Sequence, residues 1–169
     1  MIRSVLITLV LVVIHVNFKT ELTSFPIGTR LINNGNDIGL EFKDINGAPL
    51  DIMRAFDNNF ETSVELDDGN SIEFFLPRKY GKVPYPIEGF HISNGDKAGI
   101  GRIQTLRVDV KSKRFERSWT YDLHDTLQWQ YVRFPEVFWL GKSSSIKLTP
   151  TKTISHSKSR ISQLAFSWE

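Results

Sequence analysis

From residue 38 onward the chain repeats one pattern: short runs of alternating apolar and polar residues, separated by turn-formers. "IGLEFK" (38–43) alternates, "SIEFFL" (71–76) puts Ile72, Phe74 and Leu76 on one face, and "IEGFHI" (87–92) groups Phe90 with Ile92. "QTLRVDV" (104–110) turns Leu106, Val108 and Val110 inward and Arg107 and Asp109 outward. "QWQYVRF" (128–134), "SIKLT" (145–149) and "ISQLAFSW" (161–168) continue the series, the last with Leu164, Phe166 and Trp168 together. A period of two is the strand signature, because successive side chains point to opposite faces. The separators "NNGND", "NGAP", "DDGN", "YGKVPYP" and "NGDKAG" carry the residues that turns demand. No long stretch keeps a 3.6-residue apolar period, and "PLDIMRAF" (49–56) is a weak helical candidate. "SSSIKLTPTKTISHSKSR" (143–160) reads as a strand plus a long exposed loop. Many short strands with no helices between them predict an all-β protein, an antiparallel sandwich or barrel.

Composition narrows this picture. A chain of 169 residues is the size of one domain and can bury a real core. A net charge of +2, from 21 basic and 19 acidic residues, argues against a nucleic-acid partner, which needs a concentrated basic surface. The one tight basic cluster, "KSKR" (111–114), reads as a solvated hairpin tip between two strands. At the N-terminus, Arg3 precedes an apolar run from Val5 to Ile14, the length of a signal-peptide core and short for a membrane span. The expected organisation is a signal peptide over 1–20, cut between 16 and 24, and a single domain over 25–169. That predicts a secreted protein, extracellular or periplasmic in a bacterium, with no transmembrane span after processing. The absence of cysteine removes thiol nucleophiles, thiolate metal sites and disulfides.

Three groups of residues carry candidate chemistry. The loop "DNNFET" concentrates side-chain oxygens at Asp57, Asn59 and Thr62, which suits a hard divalent cation or a metal-free turn closed by its own side chains. The loop "NGDKAGIGR" (94–102) offers Asn94, Asp96, Lys97 and Arg102 on a glycine-rich backbone, with Arg102 free for a ligand or paired with a neighbouring acid. The loop "YGKVPYP" (80–86) offers Tyr80 and Tyr85, stiffened by Pro84 and Pro86. Planar polar side chains beside an aromatic platform suit a sugar. Trp119, Tyr121, Trp129 and Trp139 lie in strand-like runs and read as packing residues. No catalytic constellation stands out. His91, His124 and His156 form no metal-binding pair, and no Gly-x-Ser-x-Gly elbow occurs, so the chain is not expected to be an enzyme.

Four segments in order resemble the galactose-binding-like β-sandwich family, the discoidin or coagulation-factor C-type domains, and within it the NADase-type glycan-binding domain. "AFDNNFETSVE" is similar to that family's Asp-x-x-x-x-Thr loop, with Asp57, Thr62 and Glu65 in place and Val64 where a Trp is usual. "IEGFHISNGDKAGIGRIQTLRVDV" resembles its strand, Asn-Gly, loop, Arg, strand block, with Asn94, Gly95 and Arg102 matching. "YDLHDTLQWQYVRF" and "SRISQLAFSW" are similar to a later strand pair and to the closing strand, with Gln163 where a Glu is usual. The resemblance implies an eight-stranded jelly roll whose loops at one end bind a ligand, usually a carbohydrate; with the loop chemistry above, the expected partner is a glycan or glycoprotein bound by Tyr80, Tyr85, Asn94, Asp96 and Arg102. In relatives with calcium a Glu of the last strand completes the site, so the loop is expected to fasten the sandwich with or without a structural calcium ion on Asp57, Asn59, Thr62 and Gln163, the last with an amide instead of a charge. The competing expectation is a protein- or membrane-surface adhesion module on the same rim, marked by exposed apolar loop tips.

Overall fold

The computed structural model describes residues 17–22, 41–43, 52–67, 69–75, 85–140, 144–154 and 158–167. Eleven strands form two packed sheets among them. β1 (Asn17–Lys19), β8 (Glu116–Asp122), β7 (Ile103–Lys111), β10 (Ser145–Thr153), β5 (Ile72–Phe75) and β3 (Glu41–Lys43) make one sheet, in that spatial order. β2 (Glu21–Leu22), β9 (Gln130–Leu140), β6 (Tyr85–Asn94), β11 (Ser159–Ser167) and β4 (Val64–Leu66) make the other. Every pairing is antiparallel except β1 with β8. The expected all-β antiparallel sandwich is therefore the observed architecture. Eleven strands replace the eight implied by resemblance, and β1 to β4 are only two or three residues long.

The alternation seen in the sequence builds the core. Ile103, Leu106, Val108 and Val110 of β7 are fully buried, while Arg107 projects into solvent and Asp109 is half-buried beside it. Ile72 and Phe74, Phe90 and Ile92, Ile161 and Leu164, and Ile146 and Leu148 supply the facing layers. Burying each such side chain contributes about 1.5–3 kcal/mol before chain entropy is charged against it. The "KSKR" segment is the β7–β8 hairpin tip, closed by a hydrogen bond from the Ser112 amide to the Phe115 carbonyl of 2.9 Å. The weak helical candidate folds as one 3-10 turn over Ile52–Ala55, which plugs the sandwich edge with Ile52, Ala55 and Phe56.

Two strands depart from the sequence reading for physical reasons. β8 has three exposed residues at its start and buries Tyr121 alone, so no alternation announces it. β9 runs six residues past Phe134, because a wide bulge lets Phe134 and Phe138 both point inward. Ile87 pairs with Phe138 and Gly89 with Arg133, so Phe134 to Val137 loop out opposite one residue of β6. Pro135, which cannot donate to a ladder, sits inside that bulge.

Candidate functional site

β6 separates the two predicted recognition loops. Tyr85 starts this ten-residue strand and Asn94 ends it, which puts them about 30 Å apart at the usual strand rise. Tyr85 and Asn94 thus stand at opposite ends of β6. Tyr80 and the side chain of Tyr85 lie outside the described residues.

At the 94–102 end the polar side chains are committed to the protein. Asn94 is fully buried, and its amide accepts from the Ile103 N–H at 2.7 Å and donates to the Ile103 carbonyl at 2.7 Å. It bridges β6 to β7, which belong to different sheets. Asp96 accepts the Ile100 N–H at 2.7 Å and pairs with Arg160, which also reaches Glu65 at 3.5 Å. Burial alone would raise the Asp96 carboxyl, but these hydrogen bonds and the Arg160 charge hold it below its ordinary value of 3.8. Arg102 donates to the Asp125 carboxylate at 2.6 Å and to the Asp125 carbonyl at 3.1 Å. The loop is wrapped on the Arg102 stem: a Cβ on Gly95, at φ +86°, would stand 2.4 Å from Arg102 Cγ. Arg102 therefore fixes the loop, the second of the two roles open to it. Lys97 pairs with Glu61, tying this loop to "DNNFET". The exposed tips here are apolar, Ile100 and Ile154.

The "DNNFET" loop converges on Gln163. The loop turns at Asn58, whose φ of 57° is left-handed, a conformation asparagine tolerates. The Asp57 carboxylate accepts the Asn59 N–H at 2.9 Å and the Thr62 hydroxyl at 2.6 Å. Gln163 Nε2 donates to Asp57 Oδ1 at 2.9 Å and to the Asn59 carbonyl at 3.1 Å, and lies 3.4 Å from the Arg54 carbonyl. Its Oε1 accepts the Asn58 N–H at 3.1 Å. Burial pushes the Asp57 carboxyl up, yet the hydrogen bonds from Thr62, Gln163 and Asn59 outweigh it and hold the carboxyl below 3.8. Asp57, Asn59, Thr62 and Gln163 are thus brought together as the sequence suggested. As a calcium cage they do not fit: the oxygens face an NH₂ group, and one carboxylate is the only charge among them.

The sequence reading missed the exposed aromatic. Trp139 on β9 is 61% exposed, whereas Trp129 and Tyr121 are buried. Pro135 and Val137 of the same strand are also exposed, and Arg117 and Glu136 form an exposed ion pair at 3.6 Å between β8 and β9. Trp119 is half-buried, stacked on Phe134 at 6.0 Å. The signal was present in "VFWL": with Phe138 inward, alternation turns Trp139 outward. It is hidden when the strand is ended at Phe134, before the bulge.

No protein-family model and no curated protein sequence matches the chain. Solved structures do match its shape. The chain is similar to the family 32 carbohydrate-binding module of Clostridium perfringens NanJ, solved in complex with galactose, at 15% identity and TM-score 0.57 over 77% of this chain and 93% of that one. An F5/8 type C domain from Bacteroides fragilis matches at 9% identity and TM-score 0.56, over 77% of this chain and 91% of that one. A two-domain Bacteroides fragilis protein of unknown function matches at 14% identity and TM-score 0.58, over 88% of this chain and 47% of its own length. The architecture is an antiparallel β-sandwich of the kind that carbohydrate-binding modules and discoidin-like domains share. It is the galactose-binding-like fold that the four sequence segments resemble.

Proposed function

We propose that this chain is a secreted, non-catalytic carbohydrate-binding domain, and that Trp139 is its sugar platform. One observation supports this above others: a tryptophan 61% exposed on a long strand, in a fold whose solved neighbours include a galactose-bound module. A flat indole offers a sugar's apolar face a surface that costs little side-chain entropy to present. Tyr85 stands at the same end of the sandwich, paired through the backbone with Leu140 next to Trp139. The loop 94–102 supports the fold of the opposite end, since Asn94, Asp96, Lys97 and Arg102 each bond or pair within the protein.

A glycan array probed with the purified domain tests this reading. Trp139→Ala is expected to weaken binding about tenfold to thirtyfold, the scale of an aromatic anchor, with an unchanged melting temperature. A folded wild-type domain that gives no glycan hit, or a Trp139→Ala variant that binds as well as wild type, overturns it.

Ile100 and Ile154, both nearly half exposed at the opposite end, favour a second reading: adhesion to a protein or lipid surface. Charged substitutions at these two isoleucines would then abolish capture, while Trp139→Ala would not.

A further inference from the structure

The oxygens of the "DNNFET" loop point at a side chain and not into space. Asp57 Oδ1 and the Asn59 carbonyl meet Gln163 Nε2 at 2.9 and 3.1 Å, and the Arg54 carbonyl lies 3.4 Å away. These are N–H···O distances; an ion would draw the same oxygens to about 2.3–2.6 Å. Gln163 is 1% exposed and rises from β11, a central strand, so its amide is held from below. Its orientation is fixed by the donors and acceptors around it. The oxygen takes the Asn58 N–H at 3.1 Å, while the nitrogen faces acceptors only. A turned amide would press its NH₂ against the Asn58 N–H and set its oxygen against a carboxylate and a carbonyl. The remaining hydroxyl proton, from Thr62, is spent on Asp57 Oδ2 at 2.6 Å.

We propose that the Gln163 NH₂ group does in this chain the work that a bound calcium ion would do: it gathers the loop's oxygens and makes the loop independent of metal. The ion and the amide exclude each other, because both must occupy the space between Asp57 Oδ1 and the Asn59 carbonyl. Exchange of one atom type converts one design into the other. Gln163→Glu replaces the two N–H donors by an oxygen and adds a second negative charge, which is the donor set a hard cation needs. Without a cation that variant places two carboxylates in contact with nothing to separate them.

The test uses the whole domain, purified without chelator, in equilibrium dialysis against calcium and in thermal melts with calcium or with chelator. Wild type is expected to bind no calcium and to melt at one temperature in both conditions. Gln163→Glu is expected to melt about 5 °C or more below wild type in chelator, and to recover with calcium as one ion binds. Gln163→Leu, which removes the donors without adding an oxygen, is expected to melt low in both. Calcium binding by wild type that Asp57→Asn abolishes overturns the proposal. So does a folded Gln163→Glu variant that gains no calcium binding. If Gln163→Glu does not fold in either buffer, the wild-type dialysis and Asp57→Asn alone decide.

Discussion

At the scale of single residues, the loop 94–102 shows why polar residues at Asn-Gly turns mislead. Asn94 has the composition of a sugar ligand, yet it is fully buried and spans the N–H and carbonyl of Ile103. Asn94→Ala would strand a buried donor and a buried acceptor at once. Each such orphan costs about 1–3 kcal/mol, so the variant should lose that much or more in denaturant unfolding with an unchanged m-value. A loss under about 0.5 kcal/mol, within the range of ordinary surface substitutions, would mean that water or another group takes over the bonds. Sequence cannot separate the two roles of Asn94, because both need the same planar amide and differ only in what lies 3 Å away. Gln163 shows the reverse case. Its departure from a glutamate in the resembling family was visible in the sequence, and its meaning needed only the direction in which the amide points.

At the scale of elements, two short N-terminal strands extend the edges of both sheets. Residues 17–22 lie inside the expected cleavage window of 16–24, but they pair with β8 and β9. Thr20 is buried, its hydroxyl donates to Gln130 Oε1 at 2.9 Å, and its carbonyl meets His124 Nε2 at 3.0 Å. Gln130, fully buried, in turn accepts the His124 N–H at 2.7 Å. A chain cut after Leu22 would leave this network short of a partner and expose the β8 and β9 edges. Cleavage at the early end of the window, before Asn17, keeps it whole. A chain beginning at Asn17 should therefore melt several degrees above one beginning at Thr23, by about 2–4 °C for each kcal/mol recovered. Equal melting temperatures would show that β1 and β2 add nothing. Two or three residues carry no period, so strands this short are invisible to pattern reading. The long strand β7 was legible because its buried and exposed positions alternate. β9 was legible only as far as its bulge.

At the scale of the whole molecule, the titrating groups set the pH range over which the sandwich holds. His91, on β6, is buried between the Tyr131 ring at 4.7 Å and the Trp129 ring at 6.4 Å, and burial lowers its pKa from 6.5. The unfolded chain therefore takes up a proton near pH 6.5 that the folded chain refuses. Stability is full above that pH and falls as pH drops toward the folded value. Asp57 and Asp96, both held below 3.8, add a second loss at lower pH, as the unfolded carboxylates protonate before the folded ones. Tyr121 works in the opposite direction. Burial raises its pKa from 10.0 while its hydroxyl donates to the Arg133 carbonyl at 2.9 Å, so stability is full below pH 10 and falls above it. The melting temperature should thus form a plateau between about pH 6.5 and 10, with a first acid step that belongs to one histidine. His91→Phe keeps an aromatic ring among Tyr131 and Trp129 and removes the proton. It should flatten the step between pH 7 and 5 and leave the loss below pH 4 in place. An unchanged acid limb in that variant would assign the step to another group. Asp57→Asn should spare the histidine step and reduce the loss at lower pH, because the carboxyl whose protonation drives part of it is gone.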